Sequence, residues 1–231
     1  MDAATTDDTF DMRAAVTRSM LGWGVVAGPF YLVFGLLLAF TREGFDLTRD
    51  ALSLLLLGDL GWLQWLNLAL AGLMSVVAAV GLARTPGWPR AAAALVGLYG
   101  VCLVLSAVFP PDATGSFPPG AGGGEMTTAG LLHLAFGAIG FVSMAVAALV
   151  AAPWLARRRP GAALWSRLAA VVIVVAFAAG AALSAGPAGV ALIWLAVLTV
   201  WAWLAAASIA AYRAIPHPDI ARRSADLSAA T

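Results

Sequence analysis

Six apolar runs, each close to the ~20 residues that a helix needs to cross a ~30 Å hydrocarbon core, constrain this chain more than any other feature. They cover about Met20 to Phe40, Leu60 to Leu82, Ala91 to Phe109, Leu131 to Ala151, Leu168 to Leu183 and Val190 to Tyr212. Inside a bilayer no water satisfies backbone N–H and C=O groups, so runs of this length bond internally as helices. The expected fold is all-α, a polytopic transmembrane bundle of six helices. Composition agrees: 62% of the 231 residues are hydrophobic, 11% are charged and the mean hydropathy is +0.92, far more apolar than soluble domains.

An even number of spans puts both termini on one side, and the arginines choose the side. Eleven of the thirteen basic residues fall on the N-terminal flank, the Arg84/Arg90 turn, the Arg157 to Arg167 turn and the C-terminal tail, whereas Arg42 and Arg49 fall opposite, beside Glu43, Asp46 and Asp50. Cytoplasmic loops carry the excess of Lys and Arg, so both termini are expected to be cytoplasmic. The chain then divides into a disordered cytoplasmic tail (1–18), a membrane domain (19–212) and a second cytoplasmic tail (213–231). Its extracytoplasmic loops are 41–59, 110–130 and 184–189.

Within that frame the local signals are specific. Pro110-Pro111 stops the third helix, and Thr127 or Thr128 is placed to cap the fourth. Gly24 and Gly28 form a GxxxG pair that permits close helix approach. The run Ala51 to Leu57 is too short to span and is expected to lie in the interface or to re-enter.

Several functions are disfavoured. A net charge of +1 with dispersed arginines offers no nucleic-acid surface. Cys102 is alone, so no internal disulfide forms. No GxSxG, HExxH, phosphate-loop or dinucleotide glycine motif is present, and no metal-ligand spacing or cofactor motif stands out. The spans hold no ionised residue at mid-depth, which argues against a proton-coupled pump or a voltage sensor.

The polar groups that do enter the membrane collect toward the outer end. Asp59 opens the second span, and Gln64 and Asn67 follow at i, i+3 spacing on one helix face. Ser106 precedes Asp112, and His133 lies a turn inside the fourth span, while Ser53 sits in the short run. Together they suggest a pocket open to the outer leaflet. In it His133 is the natural acid or base, with Asp112 fixing its tautomer or acting as the acid, and Asp59 as a third candidate. Without a ligand, Asp112 would cap a turn, His133 would bond a carbonyl, and Gln64 and Asn67 would hold helices together. The nine tryptophans fall mostly near span ends; Trp194, Trp201 and Trp203 lie deeper, where stacking on an isoprenoid competes with helix packing as the explanation.

The order Leu52-Ser53-Leu54, Gly61-Trp62-Leu63-Gln64, Gly81-Leu82-Ala83-Arg84, Val108-Phe109-Pro110-Pro111-Asp112 and Gly130-Leu131-Leu132-His133 resembles the bacterial membrane family known as domain of unknown function 998. The resemblance runs from about Leu21 to Tyr212, with the Phe-Pro-x-Asp element and the following histidine as its most recognisable parts. It implies a six-span plasma-membrane protein and little about activity. Three readings remain open: binding of a lipid or isoprenoid-like ligand in the outward pocket, acid–base catalysis by Asp112 and His133 on a lipid or terpenoid substrate (a cyclase or headgroup transferase), and a small solute carrier working as a homodimer.

Overall fold

The computed structural model describes residues 10–114, 117–122, 125–184 and 186–219. Among them are six α-helices: α1 (Met12–Thr41), α2 (Gly61–Ala83), α3 (Arg90–Val108), α4 (Thr128–Ala156), α5 (Ala162–Ala182) and α6 (Pro187–Ala214). All six are long and apolar enough to cross a membrane. The described residues contain no strand beyond an isolated bridge between Phe10 and Asp219.

Each helix packs on the next in chain order, and α1 closes the ring against α6. Six helices packed in chain order bring the two ends of the described chain to one end of the bundle. There Asp11 N–H donates to the Pro218 carbonyl at 2.7 Å, and the Arg18 guanidinium donates to the Ile215 carbonyl at 2.8 Å while lying 3.9 Å above the Tyr212 ring. At the same terminal end the last turn of α4 is tied to the α2–α3 turn, with Trp154 Nε1 donating to the Pro86 carbonyl at 3.2 Å. Gly161, at φ +81°, supplies the left-handed residue that starts α5.

Helix ends explain where the apolar runs and the helices differ. Residues 12–18, expected in a disordered tail, are helical, because the Asp11 carboxylate caps α1 by accepting from Ala14 N–H at 2.9 Å and Arg18 anchors the first turns to the chain's other end. The rest of that expected tail, residues 1–9, lies outside the described residues, as do residues 220–231. Helices α4, α5 and α6 likewise start before their apolar runs, α4 at its predicted cap: the Thr127 hydroxyl accepts from Gly130 N–H at 3.0 Å.

Small residues set the helix spacing. A Cβ on Gly72 would meet the Gly100 carbonyl oxygen at 2.6 Å, so α2 and α3 touch through their backbones. The GxxxG pair of α1 serves the ring closure, since Gly24 abuts Ser208 and Gly28 abuts Cβ of Trp201, both on α6.

The opposite end is built from three loops. The run after Asp50 forms a short 3-10 helix, Leu52–Leu56, whose Leu52, Leu54 and Leu55 are buried where it packs on α1 and α2. Arg42 holds it by donating to the Leu57 carbonyl at 2.5 Å. Phe45 and Phe117 meet edge to face at 5.2 Å, which packs the α1–α2 connection against the α3–α4 loop. In the first of these loops Asp46 accepts from the Thr48 hydroxyl (2.7 Å) and N–H (2.9 Å) and from Arg49 Nε (3.1 Å). These contacts, the Thr48 hydroxyl first, hold its carboxyl below the usual carboxylate range.

Candidate functional site

The loop end opens into a cavity of about 320 Å³ with lining residues from all six helices. On α6 the lining runs from Val190 to Trp201, a depth of about 16 Å at 1.5 Å rise per residue. Its walls are apolar, with Leu103, Phe141, Phe177, Ile193 and Val197 among them. Polar side chains collect where the loops meet it: Arg49, Ser53, Asp112, Thr114 and His133. Deep within it are three aromatic residues in contact, Trp201 with Tyr31 at 5.5 Å and with Tyr99 at 5.6 Å between ring centroids.

Four of the residues expected at an outward pocket therefore meet here: Ser53, Ser106, Asp112 and His133. Three do not line it. Asp59 is exposed on the loop before α2. Gln64 and Asn67 are fully buried, Asn67 Nδ2 donating to the Tyr31 carbonyl and to Gln64 Oε1 at 3.1 Å each, so this amide pair joins α2 to α1.

His133 and Asp112 share the cavity but are held by different partners. The Nδ1 atom of His133 lies 2.9 Å from the Ser106 carbonyl and 2.8 Å from the Phe109 carbonyl. Carbonyls only accept, so Nδ1 carries the proton and Nε2 keeps the lone pair of the neutral ring. These carbonyls belong to the end of α3, where the last C=O groups of a helix lack intrahelical donors. The imidazole thus completes α3 and has its tautomer fixed by backbone rather than by Asp112. Both Asp112 oxygens go instead to Thr127, one accepting from its N–H at 3.0 Å and the other from its hydroxyl at 2.5 Å. Buried Gly130 makes room for that carboxylate, because a Cβ there would collide with it. A negative charge at the start of α4 is also favoured by the helix dipole.

What this arrangement offers chemically is an imidazole whose Nδ1–H is committed to backbone carbonyls, an anchored carboxylate and an arginine at the mouth of a greasy slot. Among the tryptophans singled out in the sequence, Trp194 and Trp201 line the slot, while Trp203 donates from Nε1 to Ser166 Oγ at 2.8 Å in the α5–α6 interface. Sequence reading missed Arg49, Tyr31 and Tyr99. The available signal was that Tyr31 and Tyr99 are two of only three tyrosines and both sit within apolar runs.

The family described as "Protein of unknown function (DUF998)" matches residues 25–210. The chain belongs to the DUF998 family. The matched region includes every helix in whole or large part and every cavity-lining residue named above, so the site is part of the DUF998 domain itself. No curated protein and no solved structure matches this DUF998 chain.

Proposed function

We propose that this DUF998 protein is a multi-pass membrane protein that binds one amphipathic molecule of lipid or isoprenoid type in the cavity, from the outer-leaflet side. The carrying observation is the polarity gradient of the slot: apolar side chains from α3 to α6 form its walls, and Arg49, Ser53, Asp112 and His133 stand at one end. An apolar chain gains about 25 cal/mol for each Å² removed from water, and its polar head would find donors and an anion at the mouth. A cavity of this volume suits a small ligand.

The side rests on charge. The described arginines apart from Arg42 and Arg49 lie at the terminal end or beside it, which the positive-inside rule makes cytoplasmic. A reporter that is active only in the cytoplasm, fused after Thr231, is expected to be active; activity only of an export-dependent reporter there would invert the orientation.

Binding is tested on the full-length protein purified in detergent, with farnesol as the probe and native mass spectrometry as the readout. One farnesol per chain is the expected stoichiometry. A spectrum showing only the unliganded mass across the titration sinks the proposal.

A further inference from the structure

The fold uses one ring nitrogen of His133 and leaves the other open. Nδ1 lies against the Ser106 and Phe109 carbonyls at the end of α3, at 2.9 and 2.8 Å. Nε2, across Cε1 from it, has no hydrogen-bond partner among the described residues. Because carbonyls only accept, the proton of the neutral ring stays on Nδ1 and Nε2 presents a lone pair.

That lone pair can be reached. The side-chain atoms that are both sealed from solvent and without a partner among the described residues are Gln64 Nε2, Asn67 Oδ1, Trp88 Nε1, Trp201 Nε1 and Ser208 Oγ. His133 Nε2 is not one of them, so it keeps accessible surface. Gly130, His133, Gly137 and Phe141 recur at one-turn intervals in the cavity lining, so the face of α4 that carries the imidazole looks into the slot. Its polar neighbours at the mouth are already engaged: Asp112 accepts from Thr127 through both oxygens, and Arg49 is paired with Asp46 at 3.1 Å.

We infer that the head of the ligand bears a hydroxyl, and that this hydroxyl donates to His133 Nε2. The inference rests on the ligand-binding reading and narrows it, from any amphipathic head to an alcohol. A ketone, ester or ether has no proton to offer the lone pair, and an anionic head would face that lone pair beside the Asp112 carboxylate. His133 then has two separate tasks on one ring, closing the end of α3 through Nδ1 and choosing the head group through Nε2.

The test uses 2-dodecanol and 2-dodecanone, which differ only in the oxidation state of one carbon, each titrated against the purified full-length protein at about pH 8.5, above the ordinary imidazole pKa of about 6.5. Binding is read by native mass spectrometry. In His133→Asn the amide nitrogen takes nearly the place of Nδ1 and can still donate to the α3 carbonyls, while Nε2 is gone. Wild type is expected to prefer the alcohol by about fivefold more than His133→Asn does, the size of one neutral hydrogen bond. Micelle partitioning is common to both proteins and cancels in that ratio. Gly97→Ala, outside the cavity lining, should keep the wild-type preference. A second readout needs no variant of the site: the chain has two histidines, His133 and His217, so in protein labelled with [15N]histidine, and assigned with His217→Gln, 2-dodecanol should move the His133 Nε2 resonance toward the protonated-nitrogen range and 2-dodecanone should not. Equal preferences in wild type and His133→Asn, or an Nε2 resonance unmoved by saturating 2-dodecanol, overturn the inference while the ligand-binding reading stands. Retention of neither probe by wild type overturns the ligand-binding reading and this inference with it.

Discussion

Replacing Gly137 by leucine is expected to abolish farnesol retention while leaving the fold no less stable. Gly137 lies one turn from His133 and one turn from Phe141, so these three cavity-lining residues form a single stripe of α4. A Cβ built at Gly137 meets nothing within 4 Å and the residue lines the cavity, so a leucine side chain is expected to take up slot volume. Stability should hold or rise, because glycine inside a helix is less favourable than leucine by roughly 0.5–1 kcal/mol. The ligand, in contrast, loses the space between the mouth and the aromatic floor, and retention should fall at least tenfold. Gly137→Ala should give an intermediate loss, since it removes less volume. The pairing of a thermal melt with native mass spectrometry separates the two effects. Wild-type retention by a folded Gly137→Leu protein would show that farnesol binds elsewhere on the bundle.

How much of this could be read from the chain depended on what kind of contact was involved. The six spans were legible because length and apolarity are properties of a segment by itself, and the Thr127 cap and the Pro110 stop were legible because they act within a few residues. The short run at Leu52–Leu56 was legible as something that could not span, although its packing on α1 and α2 was not. Helix rotation is a different matter. The spacing of Gln64 and Asn67 places them on one face, but whether that face looks at the cavity or at α1 is decided by the close approach of α2 to α3 and by the Tyr31 carbonyl. Asp112 and His133 read as a pair because both are polar and flank one loop. Their partners are the Thr127 hydroxyl and N–H and the carbonyls ending α3, and backbone groups leave no mark in a sequence. Tyr31 and Tyr99 escaped notice for the opposite reason, since their rings count as apolar in any run.

Gly100→Ala is expected to be the most damaging single methyl group that can be added to α3, and Gly97→Ala, one turn away, should be harmless. A Cβ on Gly100 would lie 2.5 Å from the Gly72 carbonyl oxygen and 2.9 Å from Val76 N, both backbone atoms of α2 that cannot move aside alone. At Gly97 the nearest atom is Ala79 Cβ at 3.5 Å, an ordinary contact. In lipid there is little hydrophobic force to press helices together, so the α2–α3 seam depends on close packing. Forcing it apart should cost about 3 kcal/mol, the upper end for an overpacked core, against a total stability of roughly 5–15 kcal/mol. By the soluble-protein scaling for this size, that lowers the melting temperature by roughly 6–12 °C. Gly97→Ala should raise stability by up to about 1 kcal/mol through helix propensity alone. The damage should also reach the site. Tyr99 adjoins Gly100 and contacts Trp201 at the floor, and the Ser106 carbonyl that fixes His133 is on the same helix. Farnesol retention by Gly100→Ala should therefore fall even at temperatures where the protein remains folded, whereas Gly97→Ala should bind as wild type. Equal melting temperatures for the two variants would mean that α2 and α3 are not in backbone contact, and that the floor of the cavity is not positioned by that seam.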